Sequence, residues 1–259
     1  MRLNKWLSYG DLAWTESIIT SPDDYADETE FYANIIEEHS MIETRTLLHL
    51  GCGAGGNDYI FRKHFKVTGV DISEEMLEIA RRINPEVTYL LGDMRSIDLR
   101  ECFDAIAIPD SIDYMATLSE LELTIGAACK HLKPGGLLLI VAKTREEFQE
   151  NNFCYTGAKD SVAITVFENN YISKTDESTY EATLVYLIRR EGELSIHTDC
   201  HLLGLFSQSE WLSLLEQAGL EVKQMRLDGA YDNFILGEGQ RPSARHVRGQ
   251  LGTSVGLLV

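Results

Sequence analysis

Leu47-Leu-His-Leu-Gly-Cys-Gly-Ala-Gly-Gly56 decides the fold. The apolar run from Thr46 to Leu50 stops abruptly at glycines, and Asn57 to His64 has the composition of a helix. Strand, tight turn and helix start follow in that order. Glycine lets a backbone approach a ligand closely, and a helix start presents free N–H groups. Twenty positions beyond Gly51, a second apolar strand, Val67 to Val70, ends in Asp71. An acid at that offset suits the two hydroxyls of a ribose. The spacing predicts a doubly wound α/β domain opening around a nucleoside.

The pattern repeats downstream. Ser73 is a good N-cap, and Met76, Leu77, Ile79, Ala80 and Ile83 make an apolar stripe for a helix over 74–83. Val87 to Leu91 is a third strand closed by Gly92-Asp93-Met94, and Phe103 to Ile108 a fourth closed by Pro109-Asp110-Ser111. A helix over 118–132, a turn at Lys133-Pro-Gly-Gly136 and a fully apolar strand from Leu137 to Ala142 complete the run. Alternating β and α with apolar strands means a mostly parallel sheet covered on both faces.

The residues before and after this core read differently. Residues 1–45 form an aromatic arm or lid (Trp6, Tyr9, Trp14) ending in a helix over 23–40, and the core occupies 46–143. Residues 144–206 read as an antiparallel β insertion capping a substrate. Its strands are 162–172, 179–189 and 193–205, with Glu191-Gly192 a tight turn. Residues 207–238 return to the core, with a helix over 208–218 stopped at Gly219 and strands at 220–227 and 233–236. The tail, 239–259, lacks apolar periodicity until its last residues and reads as disordered or not native to the chain.

Composition narrows the partners. Forty-one acids against 23 bases give a net charge of −18, which argues against nucleic acid, since phosphate binding wants clustered Lys and Arg. Five cysteines form no C-x-x-C pair and read as free, mostly buried thiols in a reducing, cytoplasmic compartment. No apolar run reaches the roughly 18 residues of a membrane helix. The chain is expected to act without membrane, as a monomer or homodimer.

Leu-His-Leu-Gly-Cys-Gly-Ala-Gly, then Gly-Val-Asp-Ile-Ser, Gly-Asp-Met and His-Leu-Lys-Pro-Gly-Gly, in order over 46–142, resembles the class I S-adenosylmethionine-dependent methyltransferases. The segment 180–222, with His201-Leu-Leu-Gly-Leu-Phe206, is similar to a small-molecule branch that includes amino-sugar N,N-dimethyltransferases. The resemblance implies a Rossmann-like, seven-stranded, mostly parallel sheet with one antiparallel strand and an antiparallel insertion after strand five. It implies S-adenosylmethionine as cofactor and methyl transfer to a small acceptor, at nitrogen, by in-line displacement. Gly51, Cys52 and Gly53 would cradle the cofactor, Asp71 and Ile72 its ribose, Asp93 and Met94 its adenine. One departure stands out. The family usually has an acid two residues before the first glycine, orienting the glycine loop and the cofactor's amino group, where this chain has His49.

Each candidate has a competing reading. Gly51, Gly53 and Gly56 also fit the G-x-G-x-x-G of a nicotinamide oxidoreductase, which has no fixed need for the Asp93-Met94 pair. O-methylation and a non-catalytic binding module are further alternatives. Pro109 would floor the methionine part and Asp110 contact substrate, or both are an ordinary turn. Tyr9, Trp14 and Tyr25 suit a lid over a positively charged sulfonium, or plain packing. His197, Asp199 and His201 share one strand face. Solvated face, metal site and catalytic face compete there; metal is the least favoured, and His201 is the candidate base.

Overall fold

A computed structural model of the chain describes residues 6–226 and 233–238. The expected tail, 239–259, lies outside the described residues. In chain order the elements are α1 (Glu16–Ile19), α2 (Ala26–His39), β1 (Thr46–Leu50), α3 (Asp58–Phe61), β2 (Lys66–Asp71), α4 (Glu74–Ile83), β3 (Thr88–Leu91), β4 (Phe103–Ile108), α5 (Leu118–His131) and β5 (Leu132–Ala142). The insertion is β6 (Asn151–Lys159), β7 (Val162–Ile172), β8 (Thr179–Arg190) and β9 (Glu193–Gly204), and the chain returns through α6 (Gln208–Gln217), β10 (Glu221–Arg226) and β11 (Asn233–Glu238).

Strands β3, β2, β1, β4 and β5 lie side by side and parallel. β11 pairs antiparallel with β5, and β10 antiparallel with β11. Successive strand residues point to opposite faces, so the apolar runs divide in two. Leu47, Val67, Ala105 and Leu139 pack with Tyr32 and Ile36 of α2 and Leu77 of α4. Leu48, Val70, Ile106 and Ile140 pack with Leu121 and Ile125 of α5 and Trp211 and Leu215 of α6. Each fully buried Leu here contributes about 1.5–3 kcal/mol. The β1–β2 order at the centre puts Gly51 and Asp71 together at the carboxyl edge, where open α/β sheets take ligands.

Three expectations are corrected. The stretch Lys133–Gly136 is not a chain-reversing turn but a bulge within β5: pairing with β4 jumps from Phe103↔Leu132 to Ala105↔Leu137. Pro134 has no N–H for the ladder, and Gly135 takes φ 81°, so the extra residues loop out and the strand resumes. The helix expected over 57–64 is the single turn of α3, its neighbourhood folding as irregular turns. Of the thiols, Cys52 is buried and Cys129 partly so, but Cys102, Cys154 and Cys200 are exposed; all five are free. Cys154 and Cys200 stand at exposed positions of the insertion strands β6 and β9.

β6 to β9 form a second, four-stranded antiparallel sheet in sequential order. Glu191 and Gly192 both take positive φ, 53° and 91°, as a two-residue hairpin turn between β8 and β9 requires. The N-terminal arm packs on this sheet, Leu12, Trp14, Ile18 and Ile19 against Ile164, Val166 and Ile188. Polar bonds fix it at both sides. Ser8 donates its N–H and its hydroxyl to Asp199 Oδ2 (2.8 Å each) in β9, and the Ser73 hydroxyl donates to the Tyr9 carbonyl from the core.

Candidate active site

A cavity of about 570 Å³ lies between the carboxyl edge of the parallel sheet, the arm and the insertion. Its floor is the glycine loop. The Gly51 and Cys52 N–H groups both donate to the Val70 carbonyl (2.8 and 3.0 Å), which folds the loop back over β2. Gly51 takes φ 71°, and a Cβ there would sit 2.2 Å from Ser111 Oγ; Ser111 in turn donates to the Leu50 carbonyl (2.9 Å). At Gly53, φ 52°, a Cβ would meet no protein atom within 4 Å, so the loop leaves open space toward the cavity.

Asp71 closes β2. Its Oδ2 accepts the Gly53 N–H and its Oδ1 the Ser73 N–H, 2.8 Å each, so one carboxylate fixes both the loop and the start of α4. Burial raises its pKa above the ordinary carboxyl value although these N–H groups oppose the shift. Asp93, at the end of β3, is gripped by the Arg95 guanidinium (2.6 to 3.1 Å), and Arg95 also reaches Glu120. Burial would raise the Asp93 carboxyl, but Arg95 outweighs it and holds it below its usual range. Ile72 is 38% exposed and, like Met94, lines the cavity. Burial pushes the Cys52 thiol well up.

His49 is 3% exposed and its Nδ1 lies 2.7 Å from Oδ1 of Asp58, which is fully buried on α3. A buried carboxylate nine residues later thus backs the imidazole that stands at this strand position, and His49 itself lines the cavity.

The opposite wall comes from the arm and the insertion. His201 is 2% exposed, with Nδ1 2.7 Å from the Tyr114 hydroxyl and Nε2 2.9 Å from Asp199 Oδ2. The Tyr114 hydroxyl also meets that of Tyr9 at 2.6 Å. The result is a continuous line from Asp199 through His201 and Tyr114 to Tyr9. Burial raises the pKa of both phenols, so they stay neutral in ordinary buffers. Burial also acts on Asp199, but the Ser8 N–H and His201 hold its carboxyl below the ordinary value. His197 lies apart from this line, bonded to Ser195 (3.3 Å).

The cavity gathers Tyr9, Gly51, Cys52, Gly53, Asp71, Ile72, Asp93, Met94, Pro109, Asp110 and His201 from the expected set. Trp14 is a correction: it packs with the outer cluster of the arm under the Arg190 guanidinium (4.9 Å), and Trp6 stands in the cavity wall instead. The single 3₁₀ turn Ala13–Thr15 buries Ala13 and Thr15 and leaves Trp14 on its other side, which side-chain type alone does not reveal. Sequence reasoning missed Asp58, Lys143, Glu168 and Tyr180 as neighbours of the site. The period-two spacing of Val166 with Glu168, and of Tyr180, Ala182, Leu184 and Tyr186, was the available signal.

Known proteins resemble this chain in sequence and in fold. A family described as a methyltransferase domain matches residues 47–136. The dTDP-4-amino-2,3,4,6-tetradeoxy-D-glucose N,N-dimethyltransferase of Saccharopolyspora spinosa is 31% identical over 185 residues, covering 71% of this chain and 74% of that protein. The chain belongs to the S-adenosylmethionine-dependent methyltransferases. Among solved structures, DesVI of Streptomyces venezuelae is 25% identical with a TM-score of 0.75, covering 88% of this chain and 96% of that one. The S-adenosylmethionine-bound amino pentose methyltransferase CalS10 of Micromonospora echinaspora, 21% identical, shares the fold with a TM-score of 0.73 over 92% and 99% of the two chains. The methyltransferase's cofactor is S-adenosylmethionine. The loop fits that group: the space left open at Gly53 adjoins carboxylates at two successive strand ends, Asp71 and Asp93.

Proposed function

We propose that the enzyme methylates the nitrogen of a small amine, an amino sugar by analogy with the names of its relatives, at the end of the cavity walled by Tyr9, Tyr114 and His201. One observation carries this reading: the glycine loop and the Asp199–His201–Tyr114–Tyr9 line face each other across one cavity. In this reading Asp71 accepts the ribose hydroxyls beside Ile72, and Asp93 and Met94 take the adenine. Gly51 to Gly53 and Pro109 bound the methionine part. Residues 1–45 and 144–206 act as a cap over the core segments 46–143 and 207–238, supported by the bonds Ser8 makes to Asp199 and Ser73 makes to Tyr9. β10 and β11 complete the sheet as a seven-stranded one, supported by the pairing of β11 with β5.

When bound, the cofactor supplies a methyl group on a positively charged sulfonium, with a good thioether leaving group. The chain's own part is positioning, exclusion of water and proton handling. Asp199 at Nε2 fixes the tautomer of His201 that leaves Nδ1 an acceptor. Tyr114 then gives its proton to Nδ1 as its hydroxyl takes one from the acceptor nitrogen. Because both ring nitrogens are bonded, His201 acts through Tyr114, and Asp110, exposed at the rim with φ 55°, contacts substrate rather than moving its proton.

Release of S-adenosylhomocysteine, screened over amines and amino sugars, tests the reaction. Asp71→Asn should weaken S-adenosylmethionine binding about 10- to 150-fold, the scale of roughly 1.5–3 kcal/mol for a hydrogen bond to a charged group. Calorimetry that finds NAD bound and S-adenosylmethionine not bound ends the reading.

A further inference from the structure

The insertion sheet presents two polar ridges to the cavity, with a trough between them. Successive strand residues alternate faces, so Glu168 and Asn170 of β7 share a face with Ala182 and Leu184 of β8 and with Asp199 and His201 of β9. The register sets these in two rows: Glu168, Leu184 and Asp199 stand side by side, and Asn170, Ala182 and His201 do the same. Two strand spacings, about 10 Å, separate β7 from β9. Ala182 ends at its Cβ and floors the gap, and Glu168, Ala182 and His201 all line the cavity. Side chains stand upright on a sheet, so roughly the width of one sugar ring is left between His201 and Glu168.

Neutral donors hold the Glu168 carboxylate in place. The Tyr155 hydroxyl donates to Oε2 (2.8 Å) and the Asn170 amide to Oε1 (2.7 Å), and the same amide also reaches Asn151 Oδ1 (3.1 Å). A carboxylate offers about four lone-pair positions, so each oxygen keeps one for a donor from the cavity. The charge of Glu168 reaches the other ridge. Burial, then Tyr9 and Tyr180, and then Glu168 push up the Tyr114 phenol. A fixed carboxylate binds a hydroxyl through a short, charge-assisted bond. The acceptor nitrogen is placed at Tyr114, so the donor that meets Glu168 is a different group on the same ring.

We propose that Glu168 is a specificity-determining residue: it accepts a hydrogen bond from a ring hydroxyl of an amino sugar that lies over Ala182 with its nitrogen at Tyr114. The enzyme then selects amino sugars that keep a ring hydroxyl over analogues whose ring carbons have lost theirs. This rests on the methyl-transfer reading of the same cavity. A site built to bond a hydroxyl rejects the analogue without it, because the analogue leaves the accepting group unpaired on closure.

The test is steady-state methylation by the full 259-residue chain, followed by release of S-adenosylhomocysteine. The probes are dTDP-linked 6-deoxyhexoses with the amino group at carbon 3 or at carbon 4, each made with its ring hydroxyls and without them. In each pair that reacts, kcat/KM should be at least about tenfold higher for the hydroxylated sugar, the scale of one hydrogen bond to a charged group. Glu168→Leu should bring the two sugars to within about threefold of each other. Glu168→Gln keeps an accepting oxygen but not the charge, and should lower the ratio by about threefold. Calorimetric binding of S-adenosylhomocysteine shows that each variant is folded. Equal kcat/KM for both sugars in the parent enzyme overturns the proposal, as does a preference that survives unchanged in either folded variant. No release of S-adenosylhomocysteine from any probe would instead strike the amino-sugar reading of the cavity, and this proposal would fall with it.

Discussion

At the glycine-loop end of the cavity, where we place the cofactor, the wall is largely backbone: the loop 51–53 bonded to Val70 and Asp71, with Ser111 wedged against Gly51. At the acceptor end it is side chains drawn from far apart. Ser8, Tyr114, Glu168, Tyr180 and His201 come from the arm, the loop after β4 and three insertion strands. A backbone wall is set by φ and by close approach, so it tolerates few residue types and leaves a spacing pattern. A side-chain wall depends on which strand faces which, and many residue types can satisfy it. The first end suits a cofactor of fixed shape; the second is where specificity can change without disturbing the first.

The sharpest way to break this contrast is Gly51→Ala. The new Cβ would sit on Ser111 Oγ at a left-handed φ of 71°. Left-handed strain of roughly 1–2 kcal/mol and overpacking of roughly 1–3 kcal/mol should add to about 2–5 kcal/mol. Thermal melting should fall by many degrees and S-adenosylmethionine binding should be lost. A variant as stable as the parent that still binds the cofactor would mean the loop is not held by backbone approach.

The acceptor end should respond in turnover and not in cofactor affinity. Tyr114→Phe deletes the hydroxyl between Tyr9 (2.6 Å) and His201 (2.7 Å). Loss of a positioned proton acceptor costs about a hundredfold or more in kcat. The dissociation constant for S-adenosylmethionine should stay within a factor of two or so, read by calorimetry. Unchanged kcat would leave the line from Asp199 to Tyr9 a packing feature, with catalysis resting on positioning alone.

The contrast also explains what the sequence revealed. The strand-end residues Gly51, Asp71, Asp93 and Pro109 were legible because parallel β/α units put each strand end at one edge, whatever the helices between them do. Ser73, Ser207 and Gly219 marked helix ends through local hydrogen bonds and φ, and those local rules hold here. Asp58 was not legible, since nothing at sequence distance nine says that a buried carboxylate will meet His49. β6 was hidden for another reason. Asn151, Asn152 and Gly157 weaken its strand signal, and its face is mostly exposed, so no apolar alternation survives. Trp14 packs outside the cavity because the path of the arm is fixed by the insertion sheet it packs on.

The pair at His49 tests whether the glycine-loop end depends on a further side-chain element beside Asp71 and Ser111. Asp58→Asn keeps the shape but removes the charge beside Nδ1 (2.7 Å). A buried hydrogen bond to a charged group, once weakened, costs roughly 1–3 kcal/mol. The cost should be shared between melting temperature and cofactor affinity, and nitrogen NMR of the His49 ring should show a changed tautomer balance. An unaltered ring spectrum with unaltered affinity would return His49 to the role of a core residue.

The smallest effect concerns how the two ends are held together. Asp199 is where the insertion grips the arm, through the Ser8 N–H and hydroxyl, and where it grips His201. Burial would raise its carboxyl, but those bonds keep it below the ordinary value. For an acid with a lowered folded pKa, the stabilising contribution is complete above the unfolded value of about 3.9 and is lost as pH falls through the lower folded one. The clasp should therefore hold at pH 5 and open only below about pH 4. With Trp14 and Trp211 replaced by Phe, fluorescence of Trp6, whose ring lies 5.5 Å from that of His201, reports the opening. Asp199→Asn should abolish that acid step and leave the glycine loop's cofactor affinity as it was. An acid step that survives Asp199→Asn would assign the hold on the arm to another group, and the arm would then not answer to this carboxylate.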